Sequence, residues 1–83
     1  MPDPTDQFLA EVRAEIARAR SKFPNNDLTT IALTEEVGEL AKALLDESAD
    51  RVRSEAVQVA AMAARVAIDG DASVIAFRAA RAP

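Results

Sequence analysis

The 83-residue chain has no cysteine, histidine, tryptophan or tyrosine, and only two glycines and four prolines. Without cysteine there are no disulfides, and without a Cys/His set there is no structural zinc, so two usual stabilisers of very small folds are excluded. A chain this short is near the lower limit for building a sufficient core alone. Self-association is the stabiliser that remains, and a homodimer or homotetramer is expected. With little glycine or proline and abundant alanine, the sequence has no strand-and-turn alternation. An all-α helical bundle is expected, with three main helices and a short C-terminal one forming a single domain over 1–83. Clustered basic charge is also missing: ten Lys and Arg are scattered among fourteen Asp and Glu, for a net charge of −4. Neutralising nucleic-acid phosphates takes clustered cations, so no nucleic-acid partner is expected. No apolar run approaches the roughly 20 residues of a membrane span. Met1-Pro2-Asp3-Pro4 lacks the basic and apolar regions of a signal peptide. A soluble, cytoplasmic protein with no membrane partner is therefore expected.

What is present is helical periodicity. A first helix is expected after Pro4, capped by Asp3 or Thr5, with Phe8, Leu9, Val12, Ile16 and Ala19 at helical spacing. Pro24 disfavours helix at Phe23, and Pro24-Asn25-Asn26-Asp27 reads as a loop. The second helix is expected from about Leu28 to Asp46, with Leu33, Val37, Leu40, Ala41 and Leu44 as its apolar stripe. Gly38 in its middle weakens it by up to about 1 kcal/mol relative to Ala, which suggests close approach of another helix. A third helix runs to about Asp69 with Gly70 as its C-terminal cap, and a last short one from Ala72 to about Arg81. On the third, Val52, Ala56, Val59, Ala63 and Val66 fill one side while Val57, Ala61, Ala64 and Ile68 fill the opposite one. A helix apolar almost all round belongs in the centre of a bundle, a second pointer to oligomerisation.

Between those sides runs a polar strip of Ser54, Glu55, Gln58, Arg65 and Asp69, with Glu55 next to Val52, Val59 and Met62. A carboxylate placed among apolar side chains must be paired, protonated or bound to a cation. The second helix offers Glu35, Glu36 and Glu39 with only Lys42 nearby. Residues three apart share a helix face, so Glu36 with Glu39, and Glu55 with Gln58, would together present three or four oxygens to a hard divalent cation. Mg²⁺ or Mn²⁺ suits such donors, and nucleotide phosphate chemistry is its natural use. Alone, the acidic run Glu35-Glu36-x-x-Glu39 reads more simply as a solvated face; Glu55 on an otherwise apolar helix balances the two readings.

The strings Ala32-Leu33-Thr34-Glu35-Glu36-Val37-Gly38-Glu39-Leu40-Ala41-Lys42-Ala43-Leu44, Glu55-Ala56-Val57-Gln58-Val59-Ala60-Ala61-Met62 and Gly70-Asp71 resemble the MazG-like nucleotide pyrophosphohydrolases of the all-α NTP pyrophosphatase superfamily. The resemblance covers roughly residues 23–71. It implies a Mg²⁺-dependent enzyme that cleaves (deoxy)nucleoside triphosphates between the α and β phosphates, releasing monophosphate and pyrophosphate, in nucleotide-pool house-cleaning. It implies dimers or tetramers in which helices of two chains complete the bundle. By it, Glu36 and Glu39 are the first ligand pair, Glu55 is the third ligand, and Gln58 stands where the family has aspartate. Glu35, or one of the first pair, would orient or deprotonate the attacking water. Lys42 is the candidate phosphate contact, ahead of Arg51 and Arg53, and Asn25, Asn26 and Asp27 are candidate base contacts whose turn-forming role also explains them. An amide at position 58 still offers an oxygen but removes one charge. The alternative is therefore a catalytically silent bundle that binds a nucleotide or a protein partner.

Overall fold

The computed structural model describes residues 3–81, and four helices cover most of them: α1 Pro4–Lys22, α2 Thr29–Asp46, α3 Ala49–Asp69 and α4 Ala72–Arg81. Asp3 caps α1, its carboxylate accepting the Thr5 amide at 2.7 Å, and Pro4 sits in the first turn, where no N–H is needed. α1 stops at Lys22, ahead of Pro24. Ser48 caps α3 by accepting the Arg51 amide at 3.2 Å. Gly70 closes α3 with φ 77°, a left-handed conformation that glycine tolerates.

The start of α2 differs from the expectation. Leu28 lies outside the helix, left-handed at φ 60°, and supplies no side-chain cap. Neither Asn25, Asn26 nor Asp27 caps it. The cap comes from the far end of α3: Asp71 accepts the Thr30 amide at 2.8 Å, and with its other oxygen the Ser73 amide at 2.9 Å that opens α4. One carboxylate thus starts two helices.

α3 is the central element, with α1 and α2 each packed on it, and no other pair of helices packs extensively among the described residues. The small core on the α1 side joins Val12 to Val57 and Ala61, flanked by Phe8, Ile16 and Ala60. The α2 side is less complete. Leu33 and Leu40 are half-buried, Ala41 is exposed, and Val37 and Leu44 are 49% and 65% exposed. Val52, Ala56, Val59 and Val66 of α3 are half-buried and Ala63 is exposed. The expected apolar stripes therefore form a surface that a single chain leaves largely open. At Gly38 a Cβ would meet nothing within 4 Å, so no helix of the same chain makes the close approach expected there. No helix of the described residues is long and apolar enough to cross a membrane.

Candidate functional site

α1 and α2 pack on α3 without packing extensively on each other, and a cleft of about 350 Å³ remains between them. Gln58, Met62 and Arg65 of α3 form its floor, and Glu15 and Arg18 of α1 face Ala32 and Glu36 of α2 across it. The 23–28 connection closes one end through Phe23, Asn25, Asp27 and Leu28. The volume lies within the ~300–1,000 Å³ usual for small-molecule sites.

That connection is held by Arg65. Its side chain is 4% exposed, and its guanidinium donates to Asp69 Oδ2 at 3.1 Å and to the carbonyls of Phe23 and Asn25 at 3.0 and 3.1 Å. Asp69 also accepts a two-point contact from Arg20 at 2.7 and 3.0 Å. The two guanidinium groups, Arg20 first, hold the Asp69 carboxyl down at about 2. Asn26 donates its side-chain amide to the Asp69 carbonyl at 2.8 Å, and Thr29 donates its hydroxyl to the Gly70 carbonyl at 2.9 Å. Asp71 lies well below the usual carboxylate range, chiefly through the Ser73 hydroxyl and the Thr30 amide. The end of α3 is thus tied to the loop that shapes the cleft.

The structure brings together part of the expected ligand set. Glu55 is buried, and its carboxylate accepts from Arg51 at 2.7 Å. Glu36 is half-buried and close enough to Glu55 for the two carboxyls to influence each other. Burial first, then the Glu55 carboxyl, then the charges of Glu39 and Glu35 push the Glu36 carboxyl up. Glu35 and Glu39 themselves are exposed. Gln58, half-buried, lies beside Glu15 of α1 and helps to hold its carboxyl down. Glu15 is held below its ordinary range chiefly by Arg18, whose Nε lies 2.8 Å away. Among the described residues, no three His, Cys, Asp or Glu side chains converge as a metal-holding group.

Two carboxylates here could still take part in holding a hard dication. Mg²⁺ is commonly held by one or two carboxylates, its other positions going to water and phosphate oxygens. Glu36 and Glu55 could act as such a pair, with Glu35 and Glu39 close by, and the Arg51 guanidinium already offsets the charge of the buried Glu55.

The remaining expected contacts divide. Asn25 and Asp27 line the cleft. The Asn26 side chain is spent on the Asp69 carbonyl. Lys42 is exposed and paired with Glu47 at 3.6 Å, outside the cleft lining. Arg51 bridges Glu47 and Glu55, while Arg53 pairs with Glu11 and lies over the Phe8 ring, fastening α1 to α3. Sequence reasoning did not find Glu15 and Arg18. Their three-residue spacing marks an ion pair on α1, but nothing local shows that it points at α3. Compared with protein-family models, curated proteins and solved structures, the chain matches none of them.

Proposed function

We propose that the chain is a Mg²⁺-dependent pyrophosphohydrolase of the MazG-like type, converting (deoxy)nucleoside triphosphates to monophosphate and pyrophosphate as a nucleotide house-cleaning activity. The observation that supports this most is the Glu36–Glu55 carboxyl pair beside a 350 Å³ cleft. Glu36 and Glu55, with Glu39 one turn along α2, would hold the ion, and Gln58 lies on the floor of the same cleft. Bound Mg²⁺, or Mn²⁺ in its place, would draw charge from the phosphate oxygens and acidify the attacking water. Glu35 would orient that water and take its proton. Asn25 and Asp27 can hydrogen-bond a base seated over Ala19, Ala32 and Met62, while Arg18 offers a cation at the opposite wall. Homo-oligomerisation belongs to the same reading, because the half-covered α2–α3 surface gains a partner when two copies pair through it.

The neutral Gln58 beside Glu15 favours a second reading, a catalytically silent bundle that binds nucleotide or a protein partner, since it brings no charge to the ion. The test is to incubate the protein with each common NTP and dNTP in Mg²⁺ and in Mn²⁺, resolving the products, with Glu39→Ala purified in parallel. Monophosphate and pyrophosphate from the native chain alone establish the enzyme. Absence of turnover in both metals, with nucleotide still bound, establishes the silent bundle.

A further inference from the structure

Among the described residues, α4 carries a face that packs extensively on no other helix. At about 100° per residue, Val74, Phe77, Arg78 and Arg81 fall within one arc, and Ala76, Ala79 and Ala80 lie opposite. Phe77 is 58% exposed, and the Arg81 guanidinium lies over its ring at 5.2 Å. The helix has no acidic residue. Its arginines form no ion pair among the described residues.

α2 has a surface of the complementary kind on its solvent side. Ile31, Gly38 and Leu45 are spaced seven apart and so line up along the helix, with Ile31 55% and Leu45 86% exposed. Gly38 leaves a gap between them, with open space where a side chain would stand. Glu35, Glu39 and Asp46 run along one flank of this ridge, and none forms an ion pair among the described residues, while Lys42, on the same side, is paired with Glu47. An apolar and cationic face thus has, on the same chain, an apolar and mainly anionic counterpart long enough to take it: the ten residues of α4 span ~15 Å and the ridge from Ile31 to Leu45 ~21 Å at the usual helical rise.

α4 does not pack extensively on its own α2. Its start is pinned by Asp71, which binds Ser73 and Thr30 together. We infer that α4 of one copy docks on the Ile31–Gly38–Leu45 ridge of a second copy, reciprocally, with the Phe77 ring at the Gly38 gap and Arg78 and Arg81 alongside Glu35 and Glu39. A two-fold axis makes the contact twice, which offsets the smallness of each helix. It also brings the second copy's arginines to the acidic side of α2 where the cleft opens. This contact is distinct from pairing through the α2–α3 surface and does not depend on the chain being an enzyme.

Charge exchange tests it, with mass read by light scattering or sedimentation over a range of concentrations. Arg78→Glu/Arg81→Glu and Glu35→Arg/Glu39→Arg each place like charges across the contact, and each should raise the dissociation constant at least tenfold. An equimolar mixture of the two double variants places opposite charges across both contacts and should recover native association. The cysteine-free chain permits a second test: Phe77→Cys mixed with Gly38→Cys should form an intermolecular disulfide, and Phe77→Cys mixed with Ser21→Cys on α1 should not. Circular dichroism confirms that each variant is folded. A native chain that is monomeric throughout, double variants that associate as the native chain does, or a mixture without recovery would each overturn the inference. In the second case the copies pair through α2 and α3 alone.

Discussion

Replacing Arg65 by methionine tests the account of how the cleft is held. The substitution keeps most of the volume and removes three hydrogen bonds, to Asp69 and to the carbonyls of Phe23 and Asn25. A buried acceptor left without a donor costs about 1–3 kcal/mol. Phe23 and Asn25 are exposed residues, so water partly replaces the lost donor and the lower half of that range applies to each carbonyl. Asp69 keeps Arg20, so the ~3–5 kcal/mol of an orphaned buried charge does not arise. The sum is about 2–4 kcal/mol, a large share of the ~4–12 kcal/mol expected for a domain of this size. Urea unfolding at fixed protein concentration measures it. Arg20→Met, which removes an exposed pair to the same carboxylate, should cost under about 1 kcal/mol. Arg65→Lys should fall between, because one ammonium cannot reproduce the planar fork. Trypsin should cut after Lys22 faster in Arg65→Met, since the freed connection opens more often. A loss under about 0.5 kcal/mol with native trypsin kinetics would refute the claim that Arg65 holds this loop.

Gln58→Asp places a carboxylate against Glu15 and should destabilise the fold above pH 5, with Glu15→Gln relieving it; a double-mutant cycle should give a coupling near 1 kcal/mol, and a coupling of zero would mean that the two side chains do not meet. Asp69, held at about 2, and Asp71, lower still, contribute stability that is present above the unfolded carboxylate value near ~4 and is lost as pH falls toward 2. Glu36 has the opposite sign: its raised value contributes stability at low pH that is lost as pH rises through it. Glu36→Gln should therefore raise the melting temperature more at pH 7 than at pH 4; on the proposed function Mg²⁺ should raise that of the native chain by mass action, and Glu36→Gln should abolish this shift. Gly38→Ala, with open space at the new methyl, should stabilise α2 by up to about 1 kcal/mol in thermal melts of dilute protein, while weakening association through the ridge.

The sequence by itself determined the four helices, their ends near Pro24, Ser48 and Gly70, and the two apolar sides of α3, because helix periodicity and capping are local properties of spacing and side-chain type. It also grouped Glu36 and Glu39 of α2 with Glu55 and Gln58 of α3 as candidate ligands, of which the fold brings Glu36 close to Glu55 and leaves Glu39 exposed. It overstated the burial of the α2 stripe, since a stripe records which face avoids water and not whether the same chain covers it. Only the tertiary structure decided that Asp71 caps α2, that Arg65 and Asn26 tie the 23–28 loop to the end of α3, and that Gln58 meets Glu15. Each of these joins positions about forty residues apart. Such pairings follow from how α1 and α2 settle on α3, and a polar side chain that will reach across the fold looks, in the sequence, like any residue bound for solvent.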